Sequence, residues 1–243
     1  MPVPLAFHKI DNRFEWGLTR TTVGGFRRIV QLLKGIQYEC PDEQFEISFD
    51  DGYDSVYTNA LPILEITSFR AMVFIPTKYI GKTSSWDVYP GAGRFKHLNR
   101  QQIMELNKSG FLIGSHSHSH RNLTNLPESE MKRELTESKK ILEDVCQSQV
   151  DSICYPYGRY NLKIIETALE CGYKYGYTFF KKSGLYPPDS ARQKMTGERI
   201  PIYLFDTPLS ILLKLKGLGQ FERFKSNIIK SYNSLSETSK VIR

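Results

Sequence analysis

Short apolar segments alternate with amphipathic segments along most of the chain. Apolar runs bounded by polar or turn-forming residues are typical of buried strands. We therefore predict strands at residues 3–8, 45–49, 71–75, 111–115, 150–155, 174–179 and 199–203.

Between these strands, apolar residues recur at the helical period. Thr22 is a suitable N-cap for a first helix that Gly35 would end, and Pro62 would kink the second. We predict helices at residues 22–35, 56–64, 99–110, 127–145 and 161–171, and a leucine-rich helix from residue 208.

Strands that alternate with helices predict parallel β/α units and an α/β fold. A barrel and an open doubly wound sheet both fit the alternation. No glycine-rich phosphate loop follows the first strand, and we therefore favour a barrel, complete or incomplete. In such barrels the chemistry lies at the carboxyl ends of the strands.

The charge and the cysteines narrow the class of protein. A net charge of +7 suits nucleic acid, an anionic membrane or an acidic glycan, but the Lys and Arg residues are scattered and no zinc-finger spacing accompanies them. We expect a solvated basic face and no nucleic-acid partner. The 4 cysteines form no C-x-x-C pair, and no apolar run is long enough to span a bilayer. We expect a soluble cytoplasmic protein without a signal peptide or a transmembrane segment.

Two adjacent carboxylates end the second predicted strand, where residues 48–52 read Ser-Phe-Asp-Asp-Gly. Carboxylates brought together at the end of an apolar strand need a cation or a shared proton. An ordinary turn, with Asp capping the next helix, explains the segment equally well.

Three of the 5 histidines fall within residues 116–120, after the fourth predicted strand. His116 and His120 would share one face if the segment turns helically, whereas His116 and His118 would share one if it stays extended. Two imidazoles and a carboxylate form a site that suits zinc or a similar divalent ion. The alternative is a polar loop with incidental histidines.

A third cluster, Cys-Tyr-Pro-Tyr-Gly at residues 154–158, follows the fifth predicted strand. Proline and glycine force a rigid turn there, which can direct a backbone N–H into a site. A purely structural turn is the simpler interpretation of this segment alone.

Together the three clusters resemble the polysaccharide deacetylase family, carbohydrate esterase family 4, also called the nodulation-protein-B homology domain. Its motif T-F-D-D-G is similar to residues 48–52, its two-histidine motif to residues 116–120, and its R-x-P-Y-G motif to residues 154–158. The opening residues 5–8 and the pair Trp86-Asp87 extend the resemblance over roughly residues 3–203.

The resemblance implies a distorted (β/α)7-type barrel, here residues 1–205, followed by a helical extension at 206–243. It implies a hydrolase that removes N-acetyl groups from an amino-sugar glycan or its precursor. Asp51, His116 and His120 would bind the metal, which is zinc or another divalent ion such as Co²⁺, Ni²⁺ or Fe²⁺. Asp50 would be the general base, and the Tyr157 N–H would help to form the oxyanion hole.

The sequence departs from the family pattern at two places. Cys154 stands where the third motif usually has an arginine, and no histidine follows His120 to supply the late L-x-H motif. We hypothesise that His8, at the end of the first strand, is the general acid, with a surface or core-edge histidine as the alternative. Arg199 could take the place of the missing arginine beside Asp50.

The sequence also predicts substrate-binding residues and a position for the C-terminal tail. Tyr53, Trp86, Asp87 and Pro156 are the predicted substrate-binding residues. The aromatic rings of Tyr53, Trp86 and Tyr157 near strand ends can stack on sugars, with packing under a loop as the alternative for Trp86. We expect the tail to dock on the barrel, with a partner or a peripheral membrane contact as alternatives.

Other activities fit the same motifs. An O-acetyl esterase, an amidase acting on a non-sugar substrate and a non-catalytic sugar-binding relative are the alternatives. The intact pair Asp50 and Asp51 argues against the last of these, because a binding protein has no need of a base beside a metal.

Overall fold

The computed structural model describes residues 3–67, 69–85, 94–179 and 191–216. The predicted substrate contacts Trp86 and Asp87 lie outside these residues, as does most of the predicted tail.

The described residues contain ten strands and seven α-helices. The strands are β1 (Val3–Phe7), β2 (Lys9–Ile10), β3 (Arg20–Thr21), β4 (Phe45–Phe49), β5 (Arg70–Ile75), β6 (Leu112–Ser115), β7 (Ser152–Cys154), β8 (Tyr175–Thr178), β9 (Gly197–Glu198) and β10 (Ile200–Pro201). The helices are α1 (Val23–Glu39), α2 (Leu61–Leu64), α3 (Arg100–Lys108), α4 (Glu128–Cys146), α5 (Leu162–Glu170), α6 (Ala191–Lys194) and α7 (Pro208–Leu215).

Eight parallel strands form a nearly closed barrel in the order β10-β1-β4-β5-β6-β7-β8-β9. The two edge strands β9 and β10 are consecutive in the chain and are separated by Arg199 alone. One pairs with β8 and the other with β1, so residues 197–201 join the two edges of the sheet. The predicted α/β barrel is confirmed, and its last strand is broken into two short pieces.

The core follows from strands that are buried on both faces. Every residue of β5 after Arg70 is buried, and so are the apolar faces of the surrounding helices. Phe7, Phe26 and Phe49 form a ring cluster in which α1 packs against β1 and β4, with ring centroids 5.1 to 5.9 Å apart. This packing holds the carboxyl ends of β1 and β4 side by side.

Capping residues begin the helices where the sequence predicts. Thr22 Oγ1 accepts the Gly25 N–H, and Asn99 forms a capping box with Gln102. The predicted end of the first helix at Gly35 is wrong. The helix continues to Glu39 because Ile36 packs against the core and extends the apolar face by another turn.

The second predicted helix begins as a π-helix. Residues Val56–Ala60 form a π-helical segment, and α2 follows directly, with Pro62 in its first turn. A proline there is tolerated because the first N–H groups of a helix have no partner within it. Pro62 thus marks the change from the π-helical segment to α-helix.

Helix α7 docks on the barrel. Ile211 is fully buried, and Lys214 Nζ donates to the Pro201 carbonyl at 2.8 Å and to Asp206 Oδ2 at 2.7 Å. The boundary at residues 205 and 206 stays a prediction. None of the helices in the described ranges is long and apolar enough to cross a membrane, and the cytoplasmic location also stays a prediction.

Candidate metal centre and catalytic site

The predicted site residues meet at one end of the barrel. Asp50 and Asp51 follow β4, His116 follows β6, and His8 follows β1. Because these strands are parallel, their carboxyl ends meet at the same edge of the sheet. The three clusters of the sequence therefore surround a single location.

Asp51, His116 and His120 are buried and their ligand atoms converge. The Nε2 atoms of His116 and His120 lie 3.7 and 3.2 Å from Asp51 Oδ1. All three donor atoms lie within 4.8 Å of one another. Among the residues that the structure describes, Asp51 Oδ1 has no hydrogen-bond partner. A buried carboxylate oxygen facing two imidazole nitrogens is a donor set that fits zinc or a similar divalent ion.

The imidazoles also control the charge of the carboxylate. Burial alone would raise the pKa of Asp51, but the nearby ring of His120 holds it well below its ordinary value. The Asp51 side chain is therefore ionised, as a metal ligand has to be.

Two of these ligands occupy left-handed backbone conformations, with φ of 66° at Asp51 and 57° at His120. Such conformations cost about 1–3 kcal/mol each in residues other than glycine, and they persist only where the surroundings impose them. Gly52 also has a positive φ, and a Cβ there would lie 3.2 Å from the Ile75 side chain. The turn after β4 thus requires glycine next to the two carboxylates.

Hydrogen bonds from a helix hold the histidine loop. Glu134 of α4 is buried, and its carboxylate accepts from the Ser119 N–H at 2.7 Å and from Ser119 Oγ. The N–H of His120 donates to Ser117 Oγ at 3.1 Å. The loop is therefore fixed on both sides of the segment that carries the second imidazole.

Two hydrogen bonds between an imidazole and a backbone carbonyl fix the site. One orients the ring of His116, and the other holds the backbone of Asp51. Nδ1 of His116 lies 2.7 Å from the Cys154 carbonyl, and Nδ1 of His97 lies 2.8 Å from the Asp51 carbonyl. Because a carbonyl can only accept, each Nδ1 carries the proton. The Nε2 of His116 is then left as a lone-pair donor directed at the metal position.

His118 lies on the other side of the loop. Its Nδ1 is 2.9 Å from Thr77 Oγ1, and its Nε2 is 3.7 Å from Glu137. The structure therefore brings together the two histidines spaced four residues apart, as expected for a turning segment.

Arg199 forms a bidentate ion pair with Asp50. Its Nη1 lies 2.7 Å from Oδ1 and its Nη2 2.8 Å from Oδ2, and both side chains are essentially unexposed. Burial would raise the pKa of Asp50, but the guanidinium of Arg199 lowers it below its ordinary value. Asp50 is therefore ionised and held in one orientation.

Cys154 contacts both members of this pair. Its Sγ lies 2.8 Å from Arg199 Nη2 and 3.6 Å from Asp50 Oδ2. Asp50, His116 and Cys154 also lie close enough together to hold an ion. The guanidinium already engages one lone pair on each oxygen of Asp50, and its positive charge disfavours a second cation there. Burial raises the pKa of the Cys154 thiol, which leaves it neutral.

His8 lies half-buried at the mouth of the barrel, with its ring 6.3 Å from that of Phe179. Burial lowers its pKa, although the charges of Asp50 and Asp51 act in the opposite direction. Its Nδ1 has no hydrogen-bond partner in the described part of the chain. His8 therefore rests as a neutral imidazole beside the two carboxylates.

The turn after β7 places Tyr157 against the histidines. Tyr157 has a φ of 59°, and its ring centroid lies 4.9 Å from that of His120. The turn is closed by a hydrogen bond from the Gly158 N–H to the Tyr155 carbonyl at 2.9 Å. The left-handed conformation reverses the backbone directly beside the candidate metal position.

Two predicted substrate contacts need correction. The prediction that Tyr53 stacks on a sugar is wrong, because it is 1% exposed and its ring lies between His97, at 4.9 Å, and the Lys9 ammonium, at 4.7 Å. Pro156 is also buried, and its ring shapes the turn that presents Tyr157.

Sequence reasoning missed two supporting residues. Glu134 lies between Met131 and Leu135 on the apolar face of α4, and a charged residue on that face was the signal that could have identified it. His97 lies outside every recognised motif, and no sequence pattern marks it.

Comparisons with known proteins agree with this geometry. The polysaccharide deacetylase family model matches residues 38–176, more than half of the chain. YxkH of Bacillus subtilis (strain 168) is 33% identical over 132 residues, which cover 54% of this chain and 43% of YxkH. A poly-beta-1,6-N-acetyl-D-glucosamine N-deacetylase of Staphylococcus aureus (strain MRSA252) is 26% identical over 152 residues, 59% of this chain and 50% of that protein. The chain thus spans about half the length of the curated relatives it matches.

Solved structures show the same fold. The deacetylase PplD of Streptococcus pyogenes, in complex with acetate, superposes with a TM-score of 0.69 at 21% identity, covering 87% of this chain and 96% of PplD. IcaB from Ammonifex degensii superposes with a TM-score of 0.65 at 18% identity, covering 82% of this chain and 91% of IcaB. With the family model matching more than half of its residues, this protein belongs to the polysaccharide deacetylase family.

Proposed function

We propose that this protein is a metal-dependent hydrolase that removes N-acetyl groups from an amino-sugar glycan or its precursor. The observation that carries this proposal is the convergence of Asp51, His116 and His120 beside a second, ionised carboxylate. Zinc is the metal that this donor set favours. Bound there, a divalent ion would supply a Lewis acid that polarises a carbonyl oxygen and makes water a stronger acid.

Asp50 is the proposed general base. Its carboxylate is ionised, and Oδ1 has a second lone pair beyond the one that Arg199 engages. An attacking water can therefore give its proton to Asp50 while Arg199 holds the carboxylate in place. Arg199 acts as a positioning residue in this scheme.

Tyr157 is proposed to contribute its backbone N–H to the tetrahedral oxyanion. The left-handed conformation at this residue is the kind of local strain that functional sites retain. A fixed backbone donor near the developing negative charge stabilises the transition state without reorganisation.

His8 is proposed to return the proton to the departing amine. Its unpartnered Nδ1 and the electrostatic influence of both carboxylates on its ring support this role. Because burial lowers its pKa, His8 has to gain its proton during turnover, and Asp50, which takes a proton from the attacking water, is the proposed source.

The proposed substrate is a polymer of N-acetylglucosamine. The Staphylococcus aureus relative is named for the β-1,6-linked polymer, and we extend that substrate class to this chain as a proposal. This polymer is uncharged. A neutral substrate suits a site in which Asp50 is paired with Arg199 and Asp51 faces two histidines.

Acetate release from β-1,6-linked N-acetylglucosamine oligomers tests the proposal. We expect the zinc-loaded wild-type protein to release acetate together with a free amine, and Asp50→Asn to lower kcat by at least about 100-fold. Retained zinc in the Asn variant would show that the ligands are intact. Unchanged turnover in this variant would contradict the role of Asp50. Acetate released from an O-acetylated sugar, with none released from these oligomers, would indicate ester hydrolysis instead.

A further inference from the structure

A loop beside the site presents two exposed aromatic side chains. Phe14 and Trp16 are 55% and 63% exposed, and their rings meet edge to face with centroids 5.4 Å apart. Single exposed rings are ordinary, but apolar side chains that adjoin one another in water mark recognition sites, and these two rings touch. Neither side chain takes part in the chemistry described above.

Buried and exposed residues alternate in the part of the loop that carries these rings. Glu15 lies between them and points inward, where it forms a buried ion pair with Lys9. Exposure alternates along residues 14–16, with Glu15 buried and the aromatic residue on either side of it exposed to solvent. A Cβ at Gly17 would lie 3.2 Å from the Glu15 carboxylate, which is therefore closely enclosed.

Further contacts fix both ends of the loop. It leaves β2 and returns through β3, which pair in parallel. Arg13 pairs with Asp11 at 2.7 Å and lies 4.5 Å from the Phe95 ring, and Arg20 donates to the Asp11 carbonyl at 3.0 Å. The aromatic pair is thus mounted on a braced loop, which lowers the entropic cost of using it for binding.

The loop belongs to the catalytic face of the barrel. It follows β1 at its carboxyl end, directly after His8. The Lys9 ammonium that anchors it lies 4.7 Å from the ring of Tyr53, which follows the two carboxylates of the site. A polymer whose reacting sugar enters the metal centre would extend its neighbouring sugars over this rim.

We propose that Phe14 and Trp16 form a stacking platform for sugar units next to the one that reacts. The proposal rests on the proposed function and names the substrate class as an oligomer. Aromatic faces pack on the C–H faces of pyranose rings, while the exposed amide nitrogen of Asn12 offers hydrogen bonds to hydroxyls. Binding energy from such remote units raises the rate at the reacting centre.

Substrate-length dependence tests the platform. We would measure kcat/KM on β-1,6-linked N-acetylglucosamine oligomers of two to six units for the wild type, Phe14→Ala and Trp16→Ala. The wild type is expected to favour the longest oligomer over the shortest, and Trp16→Ala to reduce that ratio about tenfold. The ratio compares two substrates on one variant, so partial unfolding cancels.

Tyr38→Ala is the matched control. Tyr38 is 88% exposed near the end of α1, which runs back toward the amino ends of the strands, so it lies far from the site. Its removal should leave the ratio unchanged. An equal loss in Tyr38→Ala, or an unchanged ratio in Trp16→Ala while acetate is still released, would overturn the platform and leave the proposed function intact.

Binding without turnover provides a second measurement. Titration calorimetry with the hexamer should show weaker binding to the Phe14→Ala/Trp16→Ala double variant than to the wild type, whether or not acetate is released. Equal affinity of the two proteins, or no binding by either, would overturn the proposal. Loss of binding to phosphatidylglycerol vesicles in the double variant, with hexamer binding unchanged, would assign the rings to a membrane surface instead.

Discussion

At the scale of single residues, the arginine beside Asp50 comes from a different part of the chain than the family motif would place it. Cys154 stands where the family motif usually has arginine, and Arg199 approaches the same carboxylate from the segment that closes the barrel. The small thiol leaves room for the guanidinium, which also lies 5.1 Å from the Phe74 ring and 4.9 Å from that of Phe179. The positive charge beside Asp50 is thus supplied from a different element.

Because Arg199 supplies the charge that an arginine at position 154 usually supplies, an arginine restored at 154 should partly compensate for the loss of Arg199. Arg199→Ala leaves Asp50 as an unpaired buried charge and should lower the free energy of unfolding by about 3–5 kcal/mol. Adding Cys154→Arg to that variant should restore part of the loss, because the new guanidinium starts beside the same carboxylate. Denaturant unfolding of the two variants and of Cys154→Arg alone measures this. Arg199→Ala as stable as wild type would contradict this role of Arg199.

At the scale of elements, helix α4 determines how the histidine loop is held. The Glu134 carboxylate reaches from the helix to both the N–H and the hydroxyl of Ser119. The Ser138 hydroxyl of the same helix lies 2.8 Å from that of Ser115, at the end of β6. Helix α4 therefore fixes the histidine loop at two places, at Ser115 before its first histidine and at Ser119 before its last.

Removing this support should weaken metal binding without touching a ligand. Glu134→Ala is expected to reduce zinc affinity about 10–100-fold, the usual effect of losing an outer hydrogen-bond partner. Competition with a zinc chelator measures the affinity. Glu130→Ala, on the same helix but paired with Arg121 at the surface, is the control that should bind zinc normally. Equal affinity of Glu134→Ala and wild type would show that the loop holds its shape unaided.

Helix α7 provides a second test at this scale. Ile211 is fully buried where the helix meets the barrel, whereas Leu209 is 67% exposed on the same helix. Ile211→Ala should lower the free energy of unfolding by about 2–5 kcal/mol through lost burial and a residual cavity. Leu209→Ala should change it by less than about 0.5 kcal/mol. Similar values for both variants would mean that α7 does not dock in solution.

At the scale of the whole molecule, the regular elements could be predicted and the closure could not. Strands such as β4 follow from local apolar patterning, and α3 from its capping box, because both signals lie within a few residues. The break at Arg199 has another origin. There the chain pairs with β8 on one side and β1 on the other, and those partners are distant in sequence.

In the site, too, some features follow from local sequence and others from contacts between distant residues. Motif order was sufficient to place Asp51 near the histidines, since parallel strands end together. The error at Tyr53 arose because Lys9 and His97 cover its ring, and they lie more than forty residues away on either side. Burial by such distant contacts leaves no local pattern in the sequence.

The most direct test of the metal centre is zinc stoichiometry by mass spectrometry on the wild type, His116→Ala and His118→Ala. The two substitutions remove the same side chain from one loop, but only His116 faces Asp51, while His118 faces Thr77. We predict about one zinc per chain in the wild type and in His118→Ala, and a loss of zinc in His116→Ala. A wild type that takes up no zinc when it is supplied, or an equal loss in both variants, would contradict the metal centre.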